Sequence, residues 1–276
     1  MNRLSTRRRI VRYRLDEGRP RRREDQLAGE EPLELRFGDT PYTTTMRTPG
    51  HDVELVLGFL HGEGIIASAQ DLLAVRYCAG VDENGENTFN VLQATPAPTA
   101  DLSRMVPRPI MTTSACGVCG TESIEQVRQR SRYALGVAQW TVSPQTVAGL
   151  PETMRDEQGL FSRTGGVHAA GLFGLDGELL CLREDVGRHN AVDKVVGWAL
   201  QQDRLPLSQC MLQVSGRASF ELVQKAWLAG IPMLAAVSAP SSLAVSTAEE
   251  AGMTLVGFSR GTGFNVYSGA ERIALG

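Results

Sequence analysis

Leu33, Leu35 and Phe37 alternate with Glu34, Arg36 and Gly38, the period-two signature of a strand with one buried face. Gly38-Asp39-Thr40-Pro41 supplies a turn, and residues 42–47 a second strand that Thr48-Pro49-Gly50 ends. The period then changes. Val53, Val56, Leu57 and Leu60 share one face of a helix over 51–61, closed by Gly62 and Gly64. Two more strands are expected at 72–78 and 87–94, on either side of the turn Asp82-Glu83-Asn84-Gly85. Pro96, Pro98, Pro107 and Pro109 interrupt regular structure and mark 95–110 as a linker. Thr121 can cap a helix to about residue 132, with Ile124 and Val127 inward.

Beyond residue 140 the pattern alternates more regularly. A helix is expected over 141–160, entered at Ser143-Pro144. Strands at 167–173 and 178–182 flank Asp176-Gly177, a hairpin signal. Helices at 190–201, 220–228 and 242–250 alternate with strands at 207–214, 231–237 and 254–258, with a last strand at 264–267. Such alternation over short links implies a parallel-type sheet sandwiched by helices. Ligands of these sheets sit beyond the carboxyl ends of the strands. Four polar loops fall there: 183–190, Ser215-Gly216-Arg217-Ala218-Ser219, 238–242, and Ser259-Arg260-Gly261-Thr262-Gly263. Small residues and arginines beside helix starts suit phosphate groups, so a nucleotide-like anion is the expected ligand.

Charge alters the picture at one end only. The whole chain of 276 residues has a net charge of −3. Its first 23 residues hold ten arginines against Asp16 and Glu17, which leaves the remainder strongly acidic. Residues 1–24 read as a solvated, disordered basic tail, with weak docking to an acidic partner or a polyanionic ligand as the sharper alternative, and 24–32 as a linker. Ser5-Thr6-Arg7-Arg8-Arg9 has the look of a twin-arginine export signal, but no apolar segment follows it, so a cytoplasmic location is expected. No run of about 18 apolar residues occurs, and no membrane or nucleic-acid partner is expected.

Five cysteines, an odd number, argue against a disulfide framework. Cys78, Cys181 and Cys210 fall in expected strands as small buried hydrophobes. Cys116-Gly117-Val118-Cys119-Gly120 is different: paired thiols on a glycine-bracketed loop ahead of a helix. A structural zinc would need four ligands, and no second spaced Cys/His pair exists, so no metal is expected. A deaminase zinc would want His-x-Glu and Pro-Cys-x-x-Cys, whereas this chain has Arg188-His189-Asn190. Thioredoxin-like redox chemistry would place the pair at a strand–helix junction, not behind a proline-rich linker. From the residues alone, zinc, a disulfide and carriage of sulfur stay open as uses for accessible paired thiols.

Several stretches, in order, resemble one family: Met46-Arg47-Thr48-Pro49-Gly50, Leu57-Gly58-Phe59-Leu60 with Glu63-Gly64-Ile65-Ile66, the Cys116–Cys119 pair, and Thr164-Gly165-Gly166-Val167-His168-Ala169-Ala170. The segment from Arg183 to Lys194, then Ser215-Gly216-Arg217 and Asn265-Val266-Tyr267, complete the set. From about Glu31 onward the chain resembles the FdhD family of formate dehydrogenase accessory sulfurtransferases. The resemblance implies an α/β, cytidine-deaminase-like three-layer sandwich with a smaller N-terminal α+β subdomain. The divisions are then 1–24 (tail), 25–110 (subdomain), 111–135 (cysteine loop and following helix) and 136–276 (cytidine-deaminase-like domain). It implies a homodimer that takes persulfide sulfur from a cysteine desulfurase. The sulfur passes to a molybdenum (or tungsten) bis(guanine dinucleotide) cofactor, a bound substrate here, before that cofactor enters formate dehydrogenase. A non-catalytic cofactor-binding chaperone is the alternative. By this analogy Cys116 carries the persulfide and Cys119 is its partner, relay or resolving thiol. The cofactor-binding set is Phe258, Ser259, Arg260, Gly261, Thr262 and Gly263, joined by Arg188, His189, Ser215 and Arg217. The family commonly has an arginine late in the 258–263 segment; Gly263 and Phe264 stand here, which puts more of the phosphate contact on Arg260. His168 reads as a strand residue. Asp193 and Lys194 read as a structural pair, and Glu184 or Asp185 as partners for nearby arginines.

Overall fold

In place of a basic tail, the chain opens with an antiparallel hairpin, β1 (Ser5–Arg12) and β2 (Arg21–Ala28). The computed structural model describes residues 4–274 apart from 17, 79, 81–84, 86, 99, 101–130 and 138–139. The expected disorder of 1–24 and the linker at 24–32 are both corrected. Arg8 and Arg9 lie opposite Asp25 and Glu24 in the ladder, so opposite charges face each other across a ribbon that net charge alone argues against.

The alternation around Leu33 is realised as β3 (Glu31–Phe37), which pairs antiparallel with β4 (Thr40–Arg47). The helix α1 (Asp52–Gly62) follows, then β5 (Leu72–Tyr77) and β6 (Val91–Pro96). Together they form a four-stranded sheet in the order β4-β3-β6-β5. The expected linker therefore starts two residues later, after β6. The cysteine pair and the helix expected at 121–132 lie outside the described residues.

The expected helix over 141–160 divides in two. Ser143 caps α2 (Pro144–Glu157) by accepting a hydrogen bond from the Thr146 amide at 3.0 Å. Gln158, with ψ 75°, interrupts the helix, and α3 (Gly159–Thr164) begins after it. The Glu184 carboxylate accepts the Leu160 and Phe161 amides at 2.8 and 2.7 Å, which satisfies donors at the start of α3.

The hairpin β7 (His168–Gly174) and β8 (Leu179–Asp185) leads into α4 (Arg188–Gln201). Next come β9 (Cys210–Val214), α5 (Phe220–Leu228), β10 (Met233–Ala236), α6 (Ser242–Ala251), β11 (Thr254–Arg260) and β12 (Gly263–Ser268). The six-stranded sheet has the order β12-β11-β10-β9-β7-β8. It is mixed, not parallel. β9, β10 and β11 are parallel, while β7 is inserted antiparallel between β8 and β9, and β12 turns back on β11. Two tight turns, at Asp176-Gly177 and Gly261-Thr262, force the reversals. The carboxyl ends of β8, β9, β10 and β11 still share one edge, where the amino end of β7 joins them.

Alternate residues of this sheet feed two cores. Ala170, Leu172, Leu212, Val214, Leu234 and Leu255 meet α4, α5 and α6. Ala169, Phe173, Met211, Met233, Ala235 and Val256 meet Val147, Leu150 and Met154 of α2. The sheet is thus buried on both faces between helix layers. α1 packs along α4 and brings the small sheet with it. Gly58 and Gly197 make the crossing possible: a Cβ at Gly58 would overlap the Asp193 carbonyl oxygen, and one at Gly197 that of Glu54.

Candidate functional site

At the shared strand edge the loops surround an open cleft of about 660 Å³. Val186 follows β8, Ser215 follows β9, Val237 follows β10, and Ser259, Arg260 and Gly261 end β11. Gly165, Gly166, Val167 and His168 enter β7 from the same side. α2 and α3 supply the far wall through Glu152, Arg155, Gln158 and Phe161. The Arg155 guanidinium stacks 4.1 Å from the Phe161 ring centre and so presents a flat cationic surface. The absence of a side chain at Gly165, Gly166 and Gly261 leaves backbone open to a ligand, and Gly165 and Gly261 adopt φ of 65° and 47°.

Polar groups here are only partly satisfied. Ser215 Oγ accepts the Ala169 amide at 2.9 Å and lies 3.4 Å from His168 Nδ1. Burial, aided by Arg188 and His189, lowers the His168 pKa, which favours the neutral ring. Gln158 is 3 % exposed, and its Nε2 has no partner among the described residues; Arg188, near Gly216 and not among the residues that line the cleft, likewise has an Nε without a partner. Arg260 donates from Nε to the Val237 carbonyl at 3.1 Å and is otherwise exposed. Phe258 holds φ 53° with its ring 40 % exposed, a costly conformation for an aromatic residue.

The expected ligand residues divide. Ser215, Ser259, Arg260 and Gly261 line the cleft. Ser259 does so from beneath: it is fully buried, with its hydroxyl 3.4 Å from the Val147 carbonyl. Phe258, Thr262, Gly263 and Arg217 are exposed beside it. His189 turns the other way, its Nε2 2.9 Å from Glu221 and 3.2 Å from Ser219. Burial pulls the Glu221 pKa upward, but the hydrogen bond with His189 and the charges of His189, Lys225 and Arg188 together outweigh it and hold the carboxylate below its usual range. Cys116 and Cys119 lie outside the described residues. Among those described, no group of three or more His, Cys, Asp or Glu side chains could hold a metal.

Much of the segment from Arg183 to Lys194 is occupied with structure. Asp185, fully buried, accepts the Thr48 amide at 3.1 Å, the Gly187 amide at 2.8 Å and the Asn190 amide group at 3.0 Å, and pairs with Lys194 at 2.7 Å. Lys194 also donates to the Thr48 carbonyl, and Asn190 to that of Met46. Arg183 grips Glu54 of α1 through two bonds of 2.5 and 2.7 Å, so neither Glu184 nor Asp185 is its partner. Burial pulls the Glu54 pKa upward, but the hydrogen bonds and charges of Arg183 and His51 together outweigh it and bring the pKa down to about 2. Asp193 pairs with Lys225 at 2.6 Å, so the expected Asp193–Lys194 pair is replaced by two separate ones. Sequence reading missed Arg155, Gln158 and Phe161. The one available signal was the glycine pair at 165–166, which marks a close backbone approach next to them.

A sequence model described as the FdhD/NarQ family matches residues 28–274. The chain belongs to the FdhD/NarQ family. A sulfur carrier protein FdhD from Nocardia farcinica is 55% identical over 274 residues, covering 98% of this chain and 95% of the relative. That of Mycobacterium tuberculosis is 56% identical over 255 residues, 91% and 92% of the two chains. Among solved structures, a protein from Desulfotalea psychrophila assigned as a formate dehydrogenase accessory protein superposes with a TM-score of 0.77 at 26% identity, over 98% of this chain and all of that one. The match thus includes both sheets and the cleft. Within the FdhD/NarQ frame, the hairpin up to Leu27 is the part that precedes the family match.

Proposed function

We propose that this FdhD/NarQ protein is a sulfur carrier for formate dehydrogenase maturation, with Cys116 as the site of the carried sulfur. The observation that supports this best is the strand-end cleft, whose 660 Å³ falls in the range of small-molecule sites and suits one nucleotide arm of a larger cofactor. Its glycine backbone and its arginines match the phosphates of a guanine dinucleotide on molybdenum or tungsten. We read the layered body as a cytidine-deaminase-like arrangement, a reading supported by the helix layers on both faces of the six-stranded sheet.

In the proposed reaction the Cys116 thiolate attacks the terminal sulfur of a cysteine desulfurase persulfide. The donor S–S bond breaks, the donor leaves as a thiolate, and Cys116 holds the new persulfide. Cys119 then attacks Cys116 Sγ. The terminal sulfur departs as sulfide to the metal of the bound substrate, and a Cys116–Cys119 disulfide holds the oxidising equivalents until a thiol reduces it. Formate dehydrogenase receives the sulfurated cofactor. We place the protein in the cytoplasm, as a homodimer.

Mass spectrometry after incubation with a cysteine desulfurase and cysteine tests the reading. An adduct of about 32 Da, one sulfur atom, is expected on the wild type and absent from Cys116→Ala. A full adduct on Cys116→Ala would remove Cys116 from the role. No adduct on any form, with guanine-nucleotide binding retained, would favour the chaperone alternative.

A further inference from the structure

The N-terminal hairpin has no part in the cleft's chemistry. Residues 5–28 carry nine arginines against four carboxylates, and the ladder sorts them unevenly. Near the body, Arg8 and Arg9 lie opposite Asp25 and Glu24 in the ladder. Toward the turn, Arg12 lies opposite Arg21, Val11 opposite Arg22 and Ile10 opposite Arg23. Arg12, Arg14, Arg21, Arg22 and Arg23 converge to line one cavity of about 350 Å³. Like charges directly opposite weaken a ladder, and a two-stranded ribbon is marginal by itself. The same end exposes Val11, Tyr13 and Leu15, the last completely. β2 packs against α3 beside the cleft, with Ala28 next to Gly166. Seven residues of strand then carry Arg12 roughly 20 Å outward.

We infer that the outer end of this hairpin is a docking surface for a protein partner that presents carboxylates around an apolar notch. Guanidinium groups pair bidentately with carboxylates, and Tyr, Arg and an aliphatic anchor are the side chains that hold protein interfaces. Charge complementarity thus selects an acidic surface, and Val11, Tyr13 and Leu15 supply the desolvated centre that a purely ionic contact lacks. A lipid surface fits worse. Exposed Asp16 follows Leu15 in the turn, where an anionic bilayer would be met first. A nucleic acid fits worse too, since Asp16, Glu24 and Asp25 interrupt the basic track and the apolar residues would find no partner on a phosphate backbone. Cavity and exposed trio are independent of the sulfur chemistry, so this inference goes beyond the function proposed above.

The test uses the full chain and a fluorescent peptide of repeated Glu-Glu-Leu, followed by anisotropy. Controls are an all-glutamate peptide of equal charge, single-stranded DNA and phosphatidylglycerol vesicles. The Glu-Glu-Leu peptide is expected to bind at least about tenfold more tightly than any control, with affinity falling as salt is raised. Reversing Arg12→Glu, Arg22→Glu and Arg23→Glu together is expected to weaken it by about tenfold or more. Leu15→Ser, at a fully exposed turn position that folding does not need, is expected to weaken it several-fold and leave the salt dependence as it was. The inference is overturned by failure of the peptide to bind, by wild-type binding in the triple variant, by an unaffected Leu15→Ser, or by DNA or vesicles binding as well as the peptide.

Discussion

Along the seam between the two sheets, buried charges are answered. Arg47 holds Asp52 through bonds of 3.1 and 2.9 Å, Arg183 holds Glu54, and Lys194 holds Asp185. In the cleft, Gln158 Nε2 is buried without a partner among the described residues. The two regions lie at either end of the same short stretch of chain, since Asp185 belongs to one and Val186 to the other. Their difference separates polar residues that hold the fold from those that a ligand can recruit. A seam group pulled toward a ligand would leave its partner charged and buried, at a cost of several kcal/mol. A cleft donor loses nothing by turning to a ligand.

The sharpest way to break the seam is to push its helices apart. Gly58→Ala or Gly197→Ala sets a Cβ onto the backbone of the opposing helix, where no side-chain adjustment gives room. We expect a loss of about 5 kcal/mol, comparable with the whole stability of a small domain, read as failure to fold or a collapsed denaturation midpoint. Lys194→Met comes next. It leaves the Asp185 carboxylate buried without its cation, for an expected loss of about 4 kcal/mol by urea unfolding. Replacing both partners, Lys194→Met with Asp185→Asn, should recover part of that. If the double variant is as unstable as the single one, the buried ion pair is not what the seam depends on.

Acid probes the seam's own exception. His61, at the end of α1, is 4 % exposed, and its Nδ1 has no partner among the described residues. Burial, with Arg132 and Lys225 adding to it, pushes its pKa down to about 4. Above pH ~6.5 the ring is neutral in both folded and unfolded chains, and nothing is lost. As pH falls from there, the unfolded chain takes a proton that the folded one refuses, so stability falls until about pH 4, by roughly 3 kcal/mol at most. Glu54 acts in a lower window: its stabilising charge is present above about pH 4.5 and is lost as pH falls toward 2. His61→Gln should flatten the upper window and leave the lower one, measured as the unfolding midpoint against pH.

The strands and helices were legible because periodicity reports burial directly. Leu33, Leu35 and the 53–60 stripe landed on their elements to within a residue or two. The hairpin was not, because its register sets Arg8 and Arg9 opposite acidic residues 15 or more positions away. Net charge contains no trace of that register. The four strand-end loops were legible as a shared edge, since topology fixes where carboxyl ends lie. What they do there was not. Asp185 and Asn190 fall in the polar loop 183–190 and Lys194 reads as a partner of Asp193, yet all three serve the seam, because their partners, Met46 and Thr48, are distant in sequence. Gln158 went unseen for the opposite reason: an unremarkable amide in a helical stretch becomes distinctive only when the helix breaks on it.

The smallest expected effect on stability is therefore the most telling for the cleft. Gln158→Leu removes an amide whose Nε2 is buried and unanswered, so the folded chain loses no hydrogen bond from that atom. An unpaired buried donor is itself a cost of about 1–3 kcal/mol, so the thermal midpoint should hold or rise slightly. Guanosine diphosphate serves as the probe for the proposed nucleotide arm. If the open donor is kept for the ligand, calorimetry should find the variant binding it about fivefold more weakly, the worth of one ordinary hydrogen bond. Arg183→Gln provides the contrast: it breaks the contact with Glu54 and should lower stability while leaving affinity in the remaining folded protein unchanged. A Gln158→Leu variant that binds as the wild type does would mean that the cleft's open amide is only a packing defect. The contrast between an answered seam and a waiting cleft would then fail at its central residue.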